Sequence, residues 1–390
     1  MNNFRVFVGF TLLVATANLL LHLDYPKWIG NEALLQVWIG NIQDFRSPLA
    51  ATLSLLTYHS FDSFGWPPFA FRIFSVLLLS GALTGVYVWL RPVNGPKTMR
   101  VFPLVVLSAP LVIVYGKVAT PDVWQLALHA MLFALLIRYL KQAQRRWAIG
   151  LWMVFVLAIW VNPFMTALFV GALWLLLWRL HPQGSRINAL YLPGGVLLAL
   201  LAAFVGGVTP FALQEFQFFG RIAYWQFPLF VLIGVLPWIG FAASGIWELL
   251  QKLRKREELA TIFAAGLLAG LLSMSPAVLV VLSLIIARQA AVYDLKNYPY
   301  RNVVLTVALL HLVAAFCGVV YLLTFAFQDL GTVGFRSAIA VGTGYWMPSL
   351  IAAIGLLGVQ RRFYIGGMAT AGLLVLLLAL VQLFPLIMYG

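Results

Sequence analysis

The sequence predicts an all-α, polytopic membrane protein of about 11–13 transmembrane helices. Composition, apolar segmentation and the placement of basic residues carry that expectation. The 390 residues are 63% hydrophobic and only 9% charged, whereas a soluble domain needs roughly a quarter of its residues charged to cover its surface. The outer surface must therefore face something other than water. Apolar runs of about 20 residues, the length that crosses a hydrocarbon core, recur from end to end with short loops between them. No polar stretch is long enough for an independent soluble domain, so residues 1–390 read as a single membrane domain.

The spans are placed at 4–23, 69–90, 101–118, 123–140, 147–162, 163–179, 188–206, 227–249, 259–273, 275–292, 302–323, 345–358 and 364–384. Pro163 and Pro276 break the pairs 147–179 and 259–292, and each pair also fits one span plus a re-entrant piece. Met1-Asn2-Asn3-Phe4-Arg5 before an apolar run has the look of a signal peptide. No small-residue cleavage site precedes Asp24, so the run reads as an uncleaved first helix. Cys317, the single cysteine, sits in an apolar run as a small core or lipid-facing residue and has no internal disulfide partner. Gly194, Gly195, Gly366 and Gly367 read as sites of close helix packing.

Orientation follows from lysine and arginine in the short loops. With the N-terminus inside, most of the 25 basic residues fall on the cytoplasmic side, among them Arg91, Lys97, Arg100, Lys141, Arg145, Arg146, Lys252, Arg254, Lys255, Arg256, Arg361 and Arg362. The net charge of +14 is thus mainly a topology signal, which removes the case for a nucleic-acid partner. This pattern suits a bacterial inner membrane with the N-terminus in the cytoplasm.

The opposite side carries the unusual features. Residues 24–68 form a long outer segment in which Trp28 to Ile42 reads as an amphipathic helix lying in the membrane interface. The loop at 207–226, with Phe211, Phe216, Phe218, Phe219, Tyr224 and Trp225, has the same interfacial character. It serves either as an anchor or as the lining of a lipid-entry groove. Seven acids lie on this side: Asp24, Glu32, Asp44, Asp62, Asp122, Glu215 and Asp329. Carboxylates at a membrane are costly and tend to be functional. Asp24 and Glu32 flank the end of the first span. Asp122 follows Thr120-Pro121 at a tight turn, where a lone acid also fits a helix cap.

Asn31-Glu32-Ala33 followed by Trp38, Arg46-Ser47-Pro48-Leu49, Phe69-Ala70-Phe71-Arg72-Ile73-Phe74-Ser75 and Thr120-Pro121-Asp122 occur in that order. Arg221, Tyr224 and Pro237-Trp238 follow. Together these stretches resemble the membrane glycosyltransferases of the GT-C fold, in the branch of the protein O-mannosyltransferases and lipid A aminoarabinose transferases. The likeness covers about residues 1–250, the catalytic module, and leaves 251–390 as additional transmembrane helices without a soluble C-terminal domain.

What the resemblance implies is transfer of a sugar from a polyprenyl-phosphate carrier to a lipid, glycan or protein acceptor on the extracytoplasmic face. Membrane lipids surround such an enzyme, and a partner subunit is also compatible. An outer carboxylate deprotonates the acceptor and basic residues hold the lipid phosphate. The chemistry agrees, because a sugar leaving with a phosphate needs a base and a stabilised anion more than an acid. Glu32 is the candidate base, helped or replaced by Asp24, and Asp122 orients the acceptor or the base. Arg46, Lys117 and Arg221 are candidate phosphate contacts, since arginine can give a phosphate two parallel hydrogen bonds. Asn31 and His59 are further substrate contacts. Arg72 and Arg336 are expected to snorkel at an interface.

The sequence departs from the family's pattern at several places. Asn31 stands where the family has its first acid, and an amide takes no proton near neutral pH, so the base role falls to Glu32, Asp24 or Asp44. Asn162-Pro163-Phe164 replaces a lysine common near the fifth and sixth helices. No Lys-x-x-Tyr-like segment follows the ninth helix around Met274-Ser275-Pro276. These departures keep open a non-catalytic relative that binds a lipid carrier or a partner subunit. A lipid-linked-sugar flippase also remains, although the halves around Pro163 and Pro276 are dissimilar. His22, His59, His129, His181 and His311 are scattered without metal-site spacing, no Gly-x-x-x-x-Gly-Lys is present, and no cofactor is expected.

Overall fold

The structure is a computed structural model that describes residues 67–117, 121–188, 190–205, 224–329, 331–379 and 381. The first span, the interfacial helix at 28–42, and Asp24, Asn31, Glu32, Asp44, Arg46, His59 and Arg221 lie outside the described residues.

Among the described residues the regular elements are helical. In chain order they are α1 (Pro67–Leu107), α2 (Pro110–Lys117), α3 (Pro121–Gln142), α4 (Arg145–Val161), α5 (Pro163–Leu180), α6 (Ser185–Asn188) and α7 (Leu192–Val205). Then follow α8 (Phe227–Gly234), α9 (Ile239–Arg254), α10 (Glu258–Leu272), α11 (Val278–Val292), α12 (Arg301–Asp329), α13 (Gly331–Leu357) and α14 (Arg361–Leu378). Among the described residues six helical segments are long and apolar enough to cross a membrane, within α1, α3, α5, α12, α13 and α14, and shorter apolar helices stand beside them. The chain is a polytopic integral membrane protein.

Burial separates centre from periphery. In α3, 89% of the most apolar window is buried, and in α12 only 6%. Nearly all of α11 is buried as well, from Val278 through Ala291. The α3 and α11 helices therefore form the centre, packed on α1. The exposed face of α12, with Leu310, Val313, Cys317 and Tyr321, is lipid-facing.

Each break has a local cause. Gly95, at φ 78°, splits α1 between the two spans expected at 69–90 and 101–118. Asn162 ends α4 in an extended conformation, and its side-chain Oδ1 accepts a hydrogen bond from the Met165 N–H at 3.1 Å while Pro163 opens α5. That cap with a first-turn proline makes two full helices of 17 and 18 residues, not one span with a re-entrant piece. The span expected at 227–249 is divided into α8 and α9 by a turn at Val235–Trp238.

Hydropathy misplaced α13. The sequence reads 324–344 as an outer loop and 345–358 as a short span, but the helix runs unbroken for 27 residues from Gly331. Its buried face is built from Gly334, Ser337, Ala338, Val341 and Gly342, small residues at helical spacing that add little hydropathy. In a membrane, helices associate through close packing of small residues, since the lipid is as apolar as leucine. Gly367 of α14 faces this helix, and a Cβ there would lie 2.6 Å from the Pro348 carbonyl oxygen. Gly195 is likewise held against the rings of Phe155 and Trp152. Gly367→Val is expected to force α13 and α14 apart at a cost of about 1–3 kcal/mol, read as a lower unfolding midpoint of the detergent-purified protein.

Loops expected on the cytoplasmic side meet one another. Lys141 at the end of α3 lies 2.6 Å from Glu258 of α10, and His181 after α5 lies 3.7 Å from the same carboxylate. Burial holds the His181 imidazole below its ordinary pKa, against the pull of Glu258. Glu248 accepts from Lys252 at 2.6 Å and from Gln289, with Arg288 at 3.8 Å. Tyr298 OH lies 2.6 Å from Gln289 Oε1.

Candidate active site

At the opposite end of the helices, α1, α2 and α3 bring together the described part of the expected site. The Phe69–Ser75 motif opens α1 and carries Arg72, Lys117 is the last residue of α2, and Pro121-Asp122 starts α3. A carboxylate in a helix's first turn is favoured by the dipole, and a cation in the last turn likewise. Both local preferences thus act at these helix ends.

Arg72 is 1% exposed, Asp122 3% and Lys117 6%. Arg72 acts electrostatically on Lys117, and Asp122 on the buried Tyr115 two residues before that lysine. The expectation that Arg72 snorkels is therefore corrected. Its guanidinium is enclosed beside Lys117, because α1 begins at Pro67 and carries position 72 one turn inside the helix. Arg336, by contrast, is exposed on α13. Two cations and a carboxylate enclosed at three helix ends form an arrangement suited to holding an anionic group beside an acid–base residue.

Below this cluster lies a polar stripe that the sequence reading passed over. Asp122, Gln125 and His129 fall at i, i+3 and i+7 on α3, one face of the helix. All three are buried. The His129 ring stacks on Phe169 with centroids 4.4 Å apart and planes 3° from parallel. Nε2 lies 3.1 Å from Thr166 Oγ1, and Nδ1 lies 2.8 Å from Ser275 Oγ. Thr166 donates its own proton to the Ala158 carbonyl at 2.9 Å, so its oxygen accepts from Nε2–H. Ser275 takes the Ala277 N–H at 3.3 Å and donates to Nδ1. A neutral imidazole with its proton on Nε2 satisfies every group. The available signal was a histidine and a glutamine inside an otherwise apolar span, since such residues face the bundle interior.

Of the two departures in the centre of the chain, Ser275 contacts this histidine directly, and Asn162 caps the helix that supplies its other partner, Thr166. Ser275 is the middle residue of Met274-Ser275-Pro276, so both positions serve hydrogen bonds within and between helices. The Pro237-Trp238 motif also has a structural task, because Trp238 is fully buried and its Nε1–H donates to Ser108 Oγ at 2.8 Å. That bond joins the turn between α8 and α9 to the break between α1 and α2.

No family model and no curated protein matches the chain by sequence. Two solved structures match it by fold. One is ArnT from Cupriavidus metallidurans in the apo state, with a TM-score of 0.64 and 16% identity over 97% of this chain and 78% of that one. The other is the same enzyme bound to undecaprenyl phosphate, with a TM-score of 0.62 and 16% identity over 96% of this chain and 76% of that one. ArnT is a lipid A aminoarabinose transferase of the GT-C fold. The overall fold is thus similar to that of ArnT, and since the likeness covers 97% of this chain it reaches past the region carrying the sequence motifs.

Proposed function

We propose that this chain is a glycosyltransferase that moves a sugar from a polyprenyl-phosphate carrier to a lipid, glycan or protein acceptor. The reaction takes place on the extracytoplasmic face of a bacterial inner membrane. The observation that carries the reading is the enclosure of Arg72, Lys117 and Asp122 at one end of an ArnT-like helical bundle. The neighbouring structure that holds undecaprenyl phosphate supports the choice of carrier.

In this reading the carrier phosphate sits against Lys117 and Arg72, joined by Arg46 and Arg221. These cations stabilise the phosphate as the bond to the sugar breaks. Glu32 or Asp24 takes the proton of the attacking acceptor hydroxyl or amine, and Asp122 orients that acceptor or the base. Asn31 and His59 complete the contacts to substrate. The electron pair of the broken bond leaves with the phosphate, so no cofactor enters the step. Lys117→Ala is expected to weaken binding of undecaprenyl phosphate about tenfold or more, the loss typical of a charge-assisted hydrogen bond. Equilibrium binding to the protein in nanodiscs checks this, and unchanged affinity would remove Lys117 from the carrier site.

A second reading rests on Asn31. A relative without its family's first acid would bind the carrier and not turn it over. Saturable binding of undecaprenyl phosphate, with every glycosylated carrier left intact, is the result that selects it.

A further inference from the structure

Gln125 is 2% exposed, and neither its Oε1 nor its Nε2 has a hydrogen-bond partner. Among the described residues it is the one side chain with two orphaned polar atoms. It lies one turn inward of Asp122 and one turn outward of His129 on the same face of α3. The inner neighbours cannot serve it, since His129, Thr166 and Ser275 are satisfied among themselves. A leucine of similar volume would fill the position without a desolvated amide, so the amide has a use.

The two orphaned atoms state what that use requires. Nε2 is a donor and Oε1 an acceptor, so a single group that satisfies both must accept and donate. The ionised phosphodiester of a glycosylated carrier accepts only and would leave Oε1 unpaired. A hydroxyl does both, and a pair of hydroxyls on adjacent carbons engages both amide atoms together. Resting on the function proposed above, we propose that Gln125 binds the hydroxyls of the sugar on the polyprenyl-phosphate carrier. The phosphate is held by Lys117 and Arg72, and the sugar lies along the first two turns of α3. Water has the same donor and acceptor character and is the other source the test must separate.

The test compares wild type with Gln125→Leu, each in nanodiscs, by competition binding. The probes are bare undecaprenyl phosphate and a panel of undecaprenyl phosphates bearing a hexose, a pentose or an amino sugar. Wild type is expected to bind at least one glycosylated carrier about tenfold or more tighter than the bare one. Gln125→Leu is expected to bind bare undecaprenyl phosphate as wild type does and to lose that preference, since a hydroxyl left unpaired is penalised. A preference kept in Gln125→Leu would overturn the assignment and leave an ordered water as the partner. Absence of preference in wild type would overturn it too, with the carrier site intact. Failure of wild type to bind bare undecaprenyl phosphate would instead overturn the carrier reading on which the proposal rests. If Gln125→Leu does not give monodisperse protein, Gln125→Met, flexible, without a donor and only a weak acceptor, is judged by the same outcomes.

Discussion

Asp122→Asn is expected to lower sugar transfer by about 10²–10⁴-fold, the range of a positioned acid–base or orienting carboxylate. The substitution keeps the shape of the side chain in the first turn of α3 and removes only its charge. The group is nearly fully buried beside Tyr115, on helices that also place Arg72 and Lys117. Little water reaches it to blunt the loss. Affinity for undecaprenyl phosphate should stay the same or rise, because a negative charge has been taken from beside the phosphate-binding cations. The unfolding midpoint should move little. Transfer retained at wild-type rate in Asp122→Asn would leave the carboxylate a helix-start residue and nothing more.

The largest stability effect is expected at His129. Truncating a fully buried aromatic ring to alanine costs about 3–5 kcal/mol. Here it also leaves the Thr166 and Ser275 hydroxyls with one partner fewer, at about 1–3 kcal/mol for a group left unsatisfied. Against a total stability of about 5–15 kcal/mol, His129→Ala should lose most of the folded protein at elevated temperature. His129→Phe restores the stack on Phe169 without the hydrogen bonds, so its midpoint should fall between alanine and wild type. Equal midpoints for all three would mean that this tie does not hold α3, α5 and the turn before α11 together.

Lys117 and Asp122 were each legible as site candidates because each sits at a helix end, where charge in an apolar chain is conspicuous. Arg72 lies inside a helix start within an aromatic-rich motif, and sequence alone does not separate an arginine reaching outward from one enclosed by neighbours. That distinction came from the packing of α1 against α2 and α3. The long apolar helices followed from segmentation, whereas α13 did not, since its packing face is glycine, serine and alanine and hydropathy weighs only apolar mass. His129 and Gln125 were visible as polar residues in a span. The partners of His129, 37 and 146 residues away, were not. The same long-range closure explains why Ser275, read as a departure from a family pattern, turns out to serve a hydrogen-bonded tie, while Asn162 serves the local cap of the helix that carries Thr166.

The most direct test of the transferase reading uses the lipids of the membrane in which the protein resides. Purified protein in nanodiscs is incubated with the lipid-linked sugar fraction and the acceptor fraction of that membrane, and all carrier masses are followed by mass spectrometry. The expected result is that one glycosylated polyprenyl phosphate disappears while an equal amount of bare polyprenyl phosphate appears. This should occur with wild type and not with Asp122→Asn. Unchanged carrier masses in the presence of wild type, with undecaprenyl phosphate still bound saturably, would contradict catalysis and establish a carrier-binding protein instead.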